Sequence, residues 1–118
     1  EIGNKKRKSR ALYEFARIEL CVNNLTEAKQ RAREGLVAAN NINDRARRGQ
    51  LYRLLGRIAA QDSQTGDSVF YLYRSLDIFD GLDATWEFDR TVSLIKEYCE
   101  LSDESDDYTK LKQHFTVT

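Results

Sequence analysis

The chain has 118 residues, which is enough for one domain with a hydrophobic core. Its 19 basic and 19 acidic side chains balance, so no overall charge directs the molecule toward nucleic acid or a membrane. There is no secretory signal peptide and no apolar run that could span a bilayer, so we expect a cytoplasmic protein. Because the chain lacks Met and starts with Glu1, we also expect it to be a piece of a longer protein.

Hydrophobic periodicity and helix-end signals predict six α-helices and no strand. The helices are predicted over residues 5–22, 26–40, 44–60, 67–79, 85–101 and from 103 onward. We interpret a stripe of apolar residues as the core face of the first helix: Ala11, Leu12, Phe15, Ile18 and Val22. The corresponding stripe of the third helix is Leu51, Leu54, Leu55 and Ile58. The predicted fold class is therefore all-α.

Helix-end residues and cysteines add local expectations. Thr26 and Asp67 are residue types that cap helix N-termini, so we expect them to begin the second and fourth helices. The acidic run at 103–107 favours the start of the sixth helix, because carboxylates stabilise the positive end of a helix dipole. Cys21 and Cys99 fall within apolar helical patterns, so we expect two free thiols that are at least half-buried.

A 40-residue repeat underlies the helical pattern. Arg17 and Ile18 recur as Arg57 and Ile58, and small residues recur with the same offset. We expect these small residues at close helix–helix contacts: Ala16, Ala28 and Gly35 in the first copy, and Gly56, Ser68 and Ser75 in the second. The offset places Lys96 at the small position of a third copy, which is therefore either an atypical cap or out of register.

In each of the first two copies a large apolar residue precedes the first small one, Phe15 before Ala16 and Leu55 before Gly56. Two further small residues follow 12 and 19 positions after that first small residue. This pattern resembles the tetratricopeptide repeat (TPR) family over roughly residues 9–101. The resemblance implies an α-solenoid of about three antiparallel hairpins in one domain over residues 1–118, with repeats at approximately 9–44, 49–84 and 85–117. The period of 40 exceeds the 34 usual in the family, and the proline that usually closes a repeat is absent.

The sequence offers no catalytic or metal-binding constellation. His114 is the only histidine, neither cysteine has a histidine neighbour, and no G-x-S-x-G or phosphate-binding loop is present. The acidic run at 103–107 lacks the glycine and the terminal glutamate of a calcium loop. We therefore predict no enzyme activity, no metal site and no cofactor.

The TPR resemblance also implies a groove lined by the first helix of each hairpin. Its ligand-facing positions in this sequence hold Arg10, Tyr13 and Arg17, then Gln50, Arg53 and Arg57, then Arg90, Ser93 and Glu97. We take the first seven of these residues as the predicted groove. Arginine side chains beside an aromatic ring suit an acidic peptide or a carboxylate. The alternative is that the arginines pair with Glu14, Glu19 or aspartates on adjacent helices.

The predicted function is a scaffold domain that binds another protein or an acidic peptide segment, with self-association as a further option. Long-period arrays of this kind are similar to those of bacterial signalling ATPases, peptide-sensing regulators and kinesin light chains. A sensor domain of a bacterial signalling or transcription regulator is therefore an alternative. The basic start, which consists of residues 5–8 and Arg10, raises a third hypothesis, a nucleic-acid-associated module, although no aromatic residues interleave with it. Aromatic residues of the fourth helix, from Phe70 to Phe79, are an alternative contact surface.

Overall fold

The structure, a computed structural model, describes residues 2–98, with side chains from residue 3. That part of the chain contains no strand and forms five α-helices: α1 (Ile2–Cys21), α2 (Leu25–Asn41), α3 (Arg45–Gln61), α4 (Thr65–Gly81) and α5 (Thr85–Tyr98). Each helix packs against the next one in the chain, and α1 also contacts α3. The predicted all-α, helical-repeat fold is confirmed. The predicted sixth helix and Cys99 lie outside the described residues.

Four three-residue turns of one backbone geometry join the helices. Their middle residues have positive φ angles between 54° and 61°: Asn23, Asn43, Ser63 and Asp83. In the first turn the Asn24 amide donates to the Glu19 carbonyl at 2.8 Å, and the Asn23 amide donates to the Leu20 carbonyl at 3.0 Å. The same pair of hydrogen bonds recurs in the other three turns. This is the Schellman motif, in which a left-handed residue satisfies the last carbonyls of a helix.

The turns recur every 20 residues, which is half the period visible in the sequence. One helix and one turn form a 20-residue unit, and two units form a hairpin. The left-handed conformation also accounts for three of the four residues found there, because Asn and Asp adopt this conformation more readily than other non-glycine residues. Ser63 is the exception, since its side chain gives no comparable advantage.

Two predicted helix starts are wrong. Helix α2 begins at Leu25 and α4 at Thr65, so Thr26 and Asp67 lie within the first turn instead of capping it. The preceding turn decides where each helix begins, because the residue after the left-handed one already accepts the first helical hydrogen bond. Before α3 a side chain contributes as well: Asp44 accepts a hydrogen bond from a backbone amide of α3 at 3.1 Å.

Small side chains bring the helices close together. The six predicted packing residues are all buried: Ala16, Ala28, Gly35, Gly56, Ser68 and Ser75. The Ser68 hydroxyl donates to the Gly56 carbonyl at 2.8 Å, and the Ser75 hydroxyl donates to the Gly49 carbonyl at 2.9 Å. These bonds satisfy the buried hydroxyls, so serine fits where the first copy has alanine or glycine. A Cβ on Gly56 would lie 2.7 Å from Cγ of Leu72, which marks a close approach of α3 and α4.

The larger core side chains come mainly from α3 and α4, the central hairpin. All four residues of the predicted α3 stripe are buried, and α4 and α5 complete the core with Leu72, Leu76, Phe79 and Ile95. The core is therefore centred on α3, which packs against α1, α2 and α4.

The predicted core face of α1 is wrong for four of its five residues; only Leu12 is half-buried, beside Gly35 of α2. Phe15, Ile18 and Val22 are 56%, 57% and 67% exposed, and Ala11 is exposed as well. The face that packs into the described core instead centres on Ala16, which is fully buried. Because α1 is the first described helix, no described helix covers the side that faces away from the core.

Cys21, which was expected to be at least half-buried, is an exposed free thiol, since it lies at the uncovered end of α1. None of the five described helices combines the length and the apolar character needed to cross a bilayer.

Replacing Gly56 with leucine should destabilise the fold by about 1–3 kcal/mol or more, because a side chain there overpacks the contact with Leu72. Gly66→Leu is the matched control, since a Cβ at that position would meet no atom within 4 Å. Urea denaturation of both variants measures the difference. A Gly56→Leu protein as stable as the parent would contradict the close approach of α3 and α4.

Replacing Ser63 with glycine should stabilise the protein by up to about 1 kcal/mol. The left-handed conformation costs a side-chain-bearing residue about 1–2 kcal/mol, and the greater unfolded-state entropy of glycine offsets part of the gain. Asn43→Gly should have a smaller effect, because asparagine tolerates positive φ. Thermal unfolding compares the two variants with the parent, and a lower midpoint for Ser63→Gly would contradict the turn geometry.

Candidate functional site

A concave groove of about 390 Å³ lies across the first helices of the hairpins, α1, α3 and α5. We call it the basic groove. All seven predicted groove residues line it: Arg10, Tyr13, Arg17, Gln50, Arg53, Arg57 and Arg90. Five further residues complete the lining: Glu14, Arg47, Leu54, Trp86 and Glu87. The structure therefore brings together residues that are up to 80 positions apart in the sequence.

Equivalent residue pairs connect the first helices at both junctions of the groove. At the α1–α3 junction the guanidinium carbon of Arg47 lies 5.3 Å from the centre of the Tyr13 ring. At the α3–α5 junction Nη2 of Arg53 lies 2.9 Å from Oε2 of Glu87. Each residue of the second pair is 40 positions after its counterpart in the first. The 40-residue register thus holds for contacts between hairpins as well as for contacts within them.

The position of Arg53 differs from the expectation that it would face a ligand. Its side chain is only 7% exposed, and besides pairing with Glu87 it donates to the Glu87 carbonyl at 3.3 Å and the Thr91 hydroxyl at 3.4 Å. Its guanidinium carbon also lies 5.4 Å from the centre of the Phe79 ring. Arg53 is therefore a structural residue in the groove floor, and its charge is already neutralised.

Two arginine side chains, Arg17 and Arg47, lie over the ring of Tyr13. The guanidinium carbon of Arg17 lies 5.8 Å from the ring centre, and Arg47 approaches the same ring. Arg17 also forms an ion pair with Glu14 at 3.1 Å, in which both side chains are about half exposed. Such an exposed pair contributes little stability. The Arg47 guanidinium donates to the side chain of Gln50 at 2.8 Å, which fixes its orientation.

The α5 end of the groove combines Arg90, Trp86 and Arg57. The guanidinium carbon of Arg90 lies 5.4 Å from the centre of the Trp86 ring, and Trp86 is 66% exposed. Arg57 lies beside Tyr98, where burial raises the pKa of the tyrosine hydroxyl and the guanidinium charge opposes that rise. Within residues 3–98 neither Arg57 nor Arg90 has a carboxylate partner within ion-pair distance.

The charges of the basic groove do not cancel. Six arginines and two glutamates line it, which leaves an excess of four positive charges on one concave surface. Electrostatic potential is focused in such a cleft, so the groove attracts anionic groups although the whole chain is neutral.

Sequence reasoning missed four charged or aromatic lining residues. Arg47 and Glu87 occupy equivalent positions 40 residues apart, about one helical turn before Gln50 and Arg90. That equivalence was visible in the sequence and could have extended the predicted lining by one turn. Trp86 is not among the predicted groove residues, yet it lies on the groove surface.

Comparisons with protein-family models, curated proteins and solved structures returned no match for this chain. The TPR relationship therefore stays a resemblance, and the basic groove is interpreted from its own residues. No group of three or more His, Cys, Asp or Glu side chains in the described part of the chain is arranged to hold a metal ion.

Replacing Arg53 with alanine should destabilise the fold by about 3–5 kcal/mol, because the Glu87 carboxylate would remain largely buried without its partner. Arg17→Ala is the matched control; it removes an exposed pair and should change the free energy of unfolding by less than about 1 kcal/mol. Combining Arg53→Met with Glu87→Met should restore most of the loss, since no buried charge is then unpaired. Urea denaturation distinguishes these outcomes. An Arg53→Ala protein as stable as the parent would contradict the structural role of Arg53.

Proposed function

We propose that this chain is a protein-interaction domain that binds an acidic segment of a partner protein in the basic groove. The observation that supports the proposal is the excess of four positive charges on a concave surface that three helices line. A concave site with arginines and aromatic rings is typical of peptide recognition, because charge-assisted hydrogen bonds give orientation and rings give contact area.

The arginines differ in how available they are for a partner. Arg53 is committed to the fold, as its paired charge and burial indicate. Arg57 and Arg90 have no carboxylate partner among residues 3–98, and Arg17 has only an exposed one. We therefore assign ligand binding to Arg17, Arg57 and Arg90, with Arg10 and Arg47 at the α1 end of the same lining.

The aromatic rings strengthen this proposal by restricting the arginine side chains. Arg17 and Arg47 both lie over the Tyr13 ring, and Arg90 lies over the Trp86 ring, each with its guanidinium carbon 5.3–5.8 Å from the ring centre. A guanidinium stacked on a ring has lost part of its rotamer freedom before any ligand arrives. Less entropy is then lost when it binds a carboxylate, which favours affinity.

The proposal is tested by fluorescence anisotropy with a labelled synthetic peptide rich in Glu and Asp. Combining Arg57→Gln with Arg90→Gln should weaken binding by about tenfold or more, because each charge-assisted hydrogen bond contributes about 1.5–3 kcal/mol when desolvated. The matched control combines Lys5→Gln with Lys8→Gln, which removes the same charge outside the groove lining. This control should change affinity by much less.

Three outcomes would contradict the proposal. The peptide could fail to bind, or the two double variants could lose affinity equally, which would indicate general electrostatic attraction. Tighter binding of a single-stranded oligonucleotide of the same charge, with a steep salt dependence, would reassign the groove to nucleic acid, since arginines and exposed rings also suit stacked bases. Circular dichroism of every variant checks that helix content is unchanged.

A further inference from the structure

One side of α1 is an apolar surface that no described helix covers. It consists of Ala11, Phe15, Ile18 and Val22, and we call it the outer face of α1. The three large residues are 56–67% exposed. The spacing of four, three and four residues places all of them on one stripe of the helix. A continuous apolar stripe of this kind is typical of a helix that packs against a partner.

The same stripe occurs in α3, where it is covered. Leu51, Leu55 and Ile58 are 40 residues after the first three residues of the outer face, and they are only 0%, 2% and 3% exposed. They belong to a core cluster that includes the three buried alanines of α2. The contact between α2 and α3 is close, since a Cβ on Gly35 of α2 would lie 3.1 Å from Cδ2 of Leu51 in α3. The structure thus shows what kind of helix covers this stripe: one with small residues on its contact face.

The basic start of the chain fits the same arrangement. Residues 5–8 are equivalent to residues 45–48, and three of the four positions are basic in both segments. In α3 the guanidinium of Arg48 donates to the side chain of Asn40 at 3.0 Å, in the last turn of α2. The C-terminal end of a helix carries partial negative charge, which a basic side chain complements. Lys8 holds the equivalent position in α1 and is exposed.

We propose that the outer face of α1 is the docking surface for a further helix of the same polypeptide, which precedes α1 and packs on it as α2 packs on α3. The three-residue turn supports this choice, because it places the C-terminus of α2 beside the basic start of α3, and residues 5–8 give α1 an equivalent start. A second copy of the chain is the less suitable occupant. The two described helices of the required type, α2 and α4, are already packed between their neighbours.

The proposal is independent of ligand binding and is tested by extending the chain. A copy of residues 25–44 replaces residues 1–4, so that Lys5 follows the copied turn as Arg45 follows the original one. If the face accepts an α2-like helix, the thermal midpoint should rise by about 4 °C or more. The control is the same extension with one alanine inserted before Lys5, which rotates the added helix by about 100° and should give no rise.

A substitution in the outer face gives the second measurement. Phe15→Ser should change the midpoint of the parent little, because the side chain is more than half exposed. In the extended chain the same substitution should remove most of the gain. No gain in the in-register chain, or an equal gain from both extensions, would overturn the proposal. So would analytical ultracentrifugation showing that the parent is a dimer which Phe15→Ser dissociates, since a second copy would then occupy the face.

Discussion

The left-handed residue in each interhelical turn is the constraint on which the rest of this structure depends. It ends one helix, satisfies the last carbonyls of that helix and begins the next helix after a single further residue. Because all four turns have the same geometry, successive helices are added with the same offset every 20 residues. The period is a property of the turns, and the helix sequences are free to vary between them.

A fixed offset determines which residues meet across the stack. First helices contact each other between positions 34 residues apart, as Tyr13 with Arg47 and Arg53 with Glu87 show. Small residues recur with an offset of 40 residues, because the second helix must approach the first equally closely in each hairpin. One periodic constraint therefore accounts both for the packing positions and for the line of arginines on the concave side.

The sequence was sufficient to predict these repeated features, because each is encoded twice. The fold class, the six packing positions and the α3 stripe all follow from periodicity and from the offset of 40. The two predictions that failed depend on which helix or side chain lies opposite a residue, and the periodicity of the sequence carries no information about that. The stripe of α1 has the pattern of a core face, but whether it is buried depends on a preceding helix. Arg53 fits a ligand-facing position, but its burial depends on which residue α5 places opposite it.

The two junctions of the groove show how the same position acquires different roles. At the second junction a carboxylate faces Arg53, so the pair closes and the arginine becomes part of the fold. At the first junction the equivalent positions hold Tyr13 and Arg47, which stack without neutralising the charge. A carboxylate 34 positions away thus neutralises the arginine at this position, whereas an aromatic ring leaves the arginine charge on the groove lining. The net charge of the groove is therefore set by the residue that lies 34 positions away, in addition to the arginine itself.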